Sequence, residues 1–102
     1  MAKEIIWSDQ AINHRKNILR YWILKNKSTA YSIKLDQLFR EAVNLIAEYP
    51  HIGKPTDIKN IRAKRFRDYF IFYQEMEKQL HILGIWDTQK KSLVISRIPR
   101  RR

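Results

Sequence analysis

The sequence contains no cysteine, which excludes disulfide bonds and metal ions bound by thiolates. It has no apolar run close to the ~20 residues that a membrane-spanning helix needs, so we expect no membrane partner. The N-terminus, "MAKEIIWSDQ", lacks the long apolar core and small-residue cleavage site of a signal peptide, which predicts a cytoplasmic protein. No spacing of His, Asp or Glu suggests a metal site, and we expect no cofactor.

Acidic residues are scarce relative to basic ones. The chain has 10 Asp and Glu against 21 Lys and Arg, a formal net charge of +11. Residues 1–50 carry 8 cations and 5 anions (+3), whereas residues 51–102 carry 13 cations and 5 anions (+8). This asymmetry indicates one basic face, and therefore a nucleic acid, an anionic surface or an acidic protein as partner.

The remaining composition is that of a globular domain. With 102 residues, of which 44% are hydrophobic and 12% aromatic, the chain can form one domain with a single modest core. It has no internal repeat, linker or low-complexity segment. We therefore expect one domain over residues 1–102, in which residues 97–102 form a frayed basic tail.

The first half of the chain has helical periodicity. Residues 3–7 predict a short strand, and Ser8 is placed to cap a helix over residues 9–25. A short linker, "NKS", predicts an antiparallel second helix with Ser28 as its N-cap, and Pro50 ends that helix. Its apolar face is predicted from helical spacing at Tyr31, Leu35, Leu38, Ala42, Leu45, Ile46 and Tyr49.

The second half changes to extended periodicity. The segments "NIRAKRF", "DYFIFYQ" and "QLHILGIWD" are rich in aromatic and β-branched residues and are separated by short polar breaks. The break at residues 75–78 suits a hairpin turn, so these strands should be mostly antiparallel. The tail "SLVISRIPRRR" could add a further strand. The pattern is β-α-α-β-β-β, an α+β fold with a helical hairpin packed on a small antiparallel sheet.

The densest positive charge lies directly before the most strand-like segment, in "IRAKRFRDYFIFYQ" (residues 61–74). Strand alternation predicts that Arg65 and Arg67 share one face, while Arg62 and Lys64 point to the other. We therefore expect Arg65 and Arg67 to face the anionic partner. The aromatic run after them, Tyr69, Phe70, Phe72 and Tyr73, is expected in the core, with base stacking as the alternative.

Candidate acid–base groups are few. His81 is the histidine predicted within a strand, where it could act as a general acid or base, although its apolar neighbours also suit a structural histidine. His14 is expected on the surface of the first helix, and His51 is expected to be structural. Glu75 and Glu77 flank the hairpin turn and are expected to be solvated. Arg62, Arg65 and Arg67 are the candidates for stabilising charge on a phosphate.

Four segments, in this order and spacing, resemble the RelE/ParE superfamily of toxins from type II toxin–antitoxin systems, which includes plasmid-stabilisation proteins. They are "IIWS" before a helix, "LIAEYPHIGKP" at the end of the long helix, "NIRAKRFRDYFIFYQ", and "LHILGIWDTQKKSL". The resemblance covers nearly the whole chain. It implies a toxin neutralised by an acidic antitoxin, whose C-terminal segment wraps around it.

The resemblance also implies one of two activities. RelE-like members cleave messenger RNA on the ribosome without a metal, and ParE-like members inhibit DNA gyrase. Messenger RNA cleavage is the first expectation, because Arg65 aligns closest to the central arginine of the ribonucleases; gyrase inhibition is the alternative. A nucleic-acid-binding module without catalysis and a degenerate toxin kept for its interactions are further alternatives.

One departure from the family pattern concerns the end of the last strand. Relatives usually have an arginine there, whereas this chain has Gln89 followed by Lys90 and Lys91. Two lysines can hold a phosphate as point charges, but they cannot form the bidentate clamp of a guanidinium. Residues expected to bind nucleic acid or a partner are Lys54, Lys64, Lys90 and Lys91.

Overall fold

The computed structural model describes residues 3–88 and has the expected α+β architecture. Its elements are β1 (Glu4–Trp7), α1 (Asp9–Asn26), α2 (Ala30–Glu48), β2 (Lys54–Pro55), β3 (Ile61–Phe66), β4 (Tyr69–Glu75) and β5 (Gln79–Asp87). The predicted order is confirmed, with the short β2 as an addition. The possible strand in residues 92–102 and the predicted frayed tail at 97–102 lie outside the described residues.

The five strands form one mixed sheet in the order β1-β5-β4-β3-β2. Strand β1 pairs in parallel with β5, whereas the β2–β3, β3–β4 and β4–β5 pairs are antiparallel. The hairpin predicted at residues 75–78 is present, and the Met76 N–H donates to the Gln79 carbonyl at 2.8 Å. The first strand of the chain therefore lies beside the last one described.

One of the two predicted helix caps is correct. The Ser8 hydroxyl accepts a hydrogen bond from the Ala11 N–H at 3.0 Å, so Ser8 caps α1 as expected. The N-cap position of α2 is Thr29, which makes no side-chain cap bond, so the prediction of Ser28 is wrong by one residue. The Ser28 hydroxyl nevertheless accepts a hydrogen bond from the Ala30 N–H, the first of α2, at 3.1 Å. The Ser28 N–H closes α1, where it donates to the Ile23 carbonyl at 3.3 Å.

The core-facing side of α2 differs from the predicted apolar face at its C-terminal end. Leu45 and Tyr49 are 42% and 56% exposed, so including them in the buried face was wrong. Phe39 and Val43 take the central positions instead, because steps of four, four and three residues keep the stripe over the sheet. The buried residues of α2 are Ser32, Leu35, Phe39, Val43, Ile46 and Ala47.

A β-bulge lets β5 keep its core side chains in place. The register between β4 and β5 shifts between Phe72 and Tyr73. Because of this shift, Ile82 and Ile85 are both buried although they are three positions apart in a strand. The bulge therefore accommodates one extra residue in β5 while the core side chains on both sides of it still point towards α2.

Side chains from the start of α1 cover the free edge of β5 beyond the end of β1. The Ser8 hydroxyl donates to the Leu83 carbonyl at 3.2 Å, and His14 Nδ1 accepts a hydrogen bond from the Ile85 N–H at 3.1 Å. The expectation that His14 is a surface residue is wrong, because it is half-buried and contacts the Trp86 ring at 5.3 Å between centroids. Burial lowers the pKa of His14 from its ordinary value of 6.5.

The loop after α2 is fixed to the sheet by one buried hydroxyl. Tyr73 Oη donates to the Pro50 carbonyl at 2.7 Å and accepts from the Gly53 N–H at 2.9 Å. A Cβ at position 53 would lie 2.5 Å from this oxygen and 2.9 Å from the Ala63 carbonyl, so only glycine fits. The turn "PHIG" is thereby held against β3 and β4.

We expect Tyr73→Phe to lower the free energy of unfolding by about 1–3 kcal/mol, because it leaves the part-buried Pro50 carbonyl and the buried Gly53 N–H without their partner. Tyr49→Phe is the matched control, since Tyr49 is 56% exposed and its change should be within about 0.5 kcal/mol. Urea denaturation of the two variants measures the difference. Equal losses in both would contradict the role given to the Tyr73 hydroxyl.

Protonation of His14 should lower the free energy of unfolding as the pH is lowered. Because the folded-state pKa of His14 lies below 6.5, the unfolded chain binds the proton first, and stability present above that pH is lost as the pH falls. His14→Gln, which keeps an acceptor for the Ile85 N–H, should show a smaller loss between about pH 7.5 and pH 5. Chemical denaturation at both pH values checks this, and an unchanged pH dependence would refute it.

Candidate functional site

The cations of β3 are divided between the two faces of the sheet, as alternation predicts. Arg62 and Lys64 lie opposite Tyr73 and Ile71, on the face that packs against α2. Arg65 lies opposite Phe70, on the other face, which we call the far face. The separation of Arg62 and Lys64 from Arg65 is therefore confirmed.

Arg67 does not share a face with Arg65, and that prediction is wrong. Strand β3 ends at Phe66, and Arg67 lies in the two-residue turn with a left-handed φ of 55°. The turn ends the alternation, so the Arg67 guanidinium lies over the Phe66 ring, which itself contacts Phe39 of α2. Arg65 contacts the backbone of Arg67, because Arg65 Nε donates to the Arg67 carbonyl at 3.1 Å.

The far face carries a cluster of aromatic rings beside Arg65. Phe70 and Phe72 are half-buried there, and the Phe72 and Trp86 ring centroids are 6.0 Å apart. The expectation that the whole aromatic run lies in the core is wrong for Phe70 and Phe72, because only Tyr69 and Tyr73 face α2 with Ile71. The Arg65 guanidinium lies over the Phe70 ring, 5.9 Å from its centroid.

Lys54 is the other predicted cation on the far face. It is exposed on β2 and pairs with Ala63, which in turn pairs with Phe72. Directly paired residues point to the same side of a sheet, so Lys54 and Arg65 flank the aromatic cluster on neighbouring strands. The structure therefore brings these two cations to one surface, while Gln89, Lys90 and Lys91 lie outside the described residues.

His81 is on the far face but at a distance from Arg65. It pairs with Gln74 of β4, whereas Arg65 pairs with Phe70, four positions along the same strand. This spacing separates them by about 14 Å in the strand direction. His81 is half-buried, and its Nε2 lies 2.9 Å from the Gln79 Oε1. The predicted catalytic set thus does not come together around one point.

Arg62 belongs to a separate polar cluster with His51 and Glu75. Arg62 Nη1 donates to the Gly53 carbonyl at 2.7 Å, and Arg62 Nη2 lies 3.4 Å from His51 Nδ1. On the other side of the ring, His51 Nε2 is 3.0 Å from Glu75 Oε1. The expectation of a solvated Glu75 is wrong, because it is partly buried and its second oxygen lies 3.4 Å from Lys3 Nζ.

Sequence reasoning missed this cluster because its members come from three separate parts of the chain. The loop after α2 supplies His51, β3 supplies Arg62, and β4 supplies Glu75. Strand alternation is the sequence pattern that could have indicated it, because Tyr73 and Glu75 are two positions apart in β4 and point to the same side of the sheet. Arg62 lies on that side as well, opposite Tyr73.

The helical hairpin presents an apolar groove between α1 and α2, which we call the helix groove. Its lining residues are Leu19, Ile23, Thr29, Ser32, Ile33, Asp36, Gln37 and Arg40. Ile33 in this groove is 65% exposed, and Leu24 next to Ile23 is 69% exposed. At the groove wall, Asp36 joins the two helices because Arg15 Nε donates to it at 2.6 Å.

Within residues 3–88, no group of three or more His, Asp or Glu side chains is placed to hold a metal ion. In the same part of the chain, neither helix is long and apolar enough to cross a bilayer.

The fold is shared with chains in two solved structures of toxin–antitoxin systems. A solved structure of the chromosomal ParDE system from P. aeruginosa superposes with a TM-score of 0.74 at 16% identity, covering 84% of this chain and 96% of that one. The RelBE2 toxin–antitoxin complex from Mycobacterium tuberculosis gives a TM-score of 0.61 at 12% identity, covering 85% and 99%. No curated protein matches the sequence.

The family model for the ParE toxin of the type II toxin–antitoxin system parDE matches residues 5–91. The match spans most of the 102 residues, and this chain therefore belongs to the ParE toxin family. The predicted superfamily is thereby confirmed.

Proposed function

We propose that this toxin acts by binding and inhibiting DNA gyrase, as ParE-like members of the superfamily do. The observation that carries the proposal is the separation of Arg65 from His81 by about 14 Å along the sheet. Metal-free RNA cleavage needs a base and an acid within hydrogen-bond reach of a phosphate held by cations. An arginine far from its predicted acid–base partner suits binding better than it suits that chemistry.

The far face is the surface that we propose for the target. It combines the Arg65 guanidinium and the Lys54 ammonium with the half-buried rings of Phe70 and Phe72 on neighbouring strands. Aromatic and arginine side chains are the residues that most often dominate the binding energy of a protein interface. Positive charge at its rim would speed association with an acidic target.

Cleavage of ribosome-bound messenger RNA is the second candidate. The observation that favours it is the stacking of the Arg65 guanidinium on Phe70 beside Phe72. A base can stack on such a surface while the guanidinium holds a neighbouring phosphate. In this case Arg65 would stabilise the charge that develops on the phosphorane.

Two assays of the same preparation separate these functions, and the Arg65→Gln variant tests the proposed surface in each. We expect about a tenfold loss of inhibition in a gyrase supercoiling assay, which corresponds to one lost charged contact. Arg20→Gln is the matched control, because it removes the same charge from an exposed position on α1. The parallel assay follows messenger RNA cleavage in a translation reaction with ribosomes.

Each result of the paired assays has a defined reading. Inhibition of supercoiling with intact messenger RNA supports the gyrase proposal. Cleaved messenger RNA with unaffected gyrase contradicts it and supports the second candidate. Salt-sensitive nucleic-acid binding with neither effect would identify a non-catalytic binding module. Equal effects of Arg65→Gln and Arg20→Gln would remove Arg65 from the target surface.

We further propose that an acidic antitoxin neutralises this toxin and that its apolar segment occupies the helix groove. Two solved relatives are described as toxin–antitoxin systems or complexes, and this chain carries a net charge of +11. Ile33 and Leu24 are unusually exposed for apolar side chains of their size, and such surfaces mark interaction sites. An amphipathic acidic helix has the shape and charge to cover them.

Ile33→Asp should weaken neutralisation by the proposed acidic antitoxin. A buried carboxylate in an apolar interface costs enough to lower affinity at least about tenfold. Leu45→Asp is the control, because Leu45 is an apolar residue of α2 that is 42% exposed and does not line the groove. Growth of cells that express toxin and antitoxin together is the measurement. Full rescue of the Ile33→Asp toxin would place the antitoxin elsewhere.

A further inference from the structure

The polar cluster at the end of α2 has a geometry that the toxin proposals do not use. His51 lies between a guanidinium and a carboxylate, with its two ring nitrogens 3.4 Å from Arg62 Nη2 and 3.0 Å from Glu75 Oε1. Its side chain is 72% exposed, so solvent and solutes reach the ring. The cluster borders a small hollow, which is lined by His51, Pro55, Asn60, Ile61, Arg62 and Glu75.

We propose that His51 and Arg62 together form a binding site for a phosphate group. In the neutral tautomer, His51 Nε2–H donates to Glu75 while Nδ1 accepts from Arg62, and no anion is required. In the protonated ring Nδ1 also carries a hydrogen, which then points at the Arg62 N–H. A phosphate oxygen between the two donors accepts from both and removes this conflict.

The charges around the ring favour an anion when His51 is protonated. Arg62 from β3 and Lys3 from the segment before β1 are positive, and Glu75 from β4 is negative. Protonated His51 therefore gives three positive charges against one. Lys3 is held on the far side of the Glu75 carboxylate, so it offsets that charge without entering the hollow.

The two donors are held in place before any ligand arrives. Arg62 Nη1 is fixed to the Gly53 carbonyl at 2.7 Å, which leaves Nη2 directed at His51. The His51 backbone lies in the turn that the Tyr73 hydroxyl ties at Pro50 and Gly53. The hollow measures about 220 Å³, enough to hold a phosphate group with several waters of about 30 Å³ each.

This site is distinct from the far face. Arg62 points to the side of the sheet that packs against α2, whereas Arg65 points to the opposite side. Phosphate binding at this site is therefore independent of the target that the far face binds. The phosphate can belong to a nucleic-acid backbone or to a free phosphate ion, which present the same oxygens.

The test follows the His51 ring signals of the purified protein by heteronuclear NMR. The two probes are inorganic phosphate and an oligothymidylate that has internal phosphodiesters but no terminal phosphate, with sodium chloride at matched ionic strength as the blank. We expect ring shifts that saturate with phosphate and do not appear with the sodium chloride blank. The oligothymidylate reproduces the shifts if the site accepts a nucleic-acid backbone.

Arg62→Gln should abolish the phosphate-dependent shifts, and Arg62→Lys, which keeps the charge but not the planar fork, should weaken them. Arg20→Gln is the control, because it makes the same change in charge at an exposed position on α1, and it should bind phosphate as the unaltered protein does. His51 signals that do not respond to phosphate overturn the proposal. An equal loss in the Arg62→Gln and Arg20→Gln variants also overturns it.

Discussion

The hydroxyl of Tyr73 fixes the corner of the molecule where α2 meets the sheet. It lies in the core on β4, bonds to a carbonyl and an N–H three residues apart, and thereby closes the turn after α2. The turn in turn presents the Gly53 carbonyl to Arg62 and leads into β2, which pairs with β3. Burial raises the pKa of Tyr73, so the hydroxyl keeps the proton that it donates to Pro50.

One basic segment supplies two surfaces because a strand alternates. Arg62 is directed to the cluster at the end of α2, and Arg65 to the aromatic rings of the far face. The segment "IRAKRFRDYFIFYQ" is therefore not a single polyanion site. Its cations lie on separate sides of the sheet, while its aromatic residues are shared between the core and the far face.

Local patterns were sufficient to predict much of the fold, and tertiary contacts account for what they missed. Helical spacing, the Ser8 cap and the change to extended periodicity depend on neighbours in sequence, and they predicted both helices and every described strand except the short β2. The family resemblance predicted the superfamily. The face of Arg67 depends on a left-handed turn residue that alternation does not describe. His14 and Glu75 depend on partners far away in the chain, so no local pattern could show that the fold uses them.

The pairing of β1 with β5 has a consequence for synthesis. Glu4 is the register partner of Gln79, so the first strand has no neighbour in the sheet until β5 has been made. The same delay applies to the edge contacts that Ser8 and His14 make with β5. Such long-range closure is slow relative to helix formation, because the entropy of a long loop is lost before its contacts form. A nascent chain of this toxin therefore lacks its completed sheet until β5 has been made.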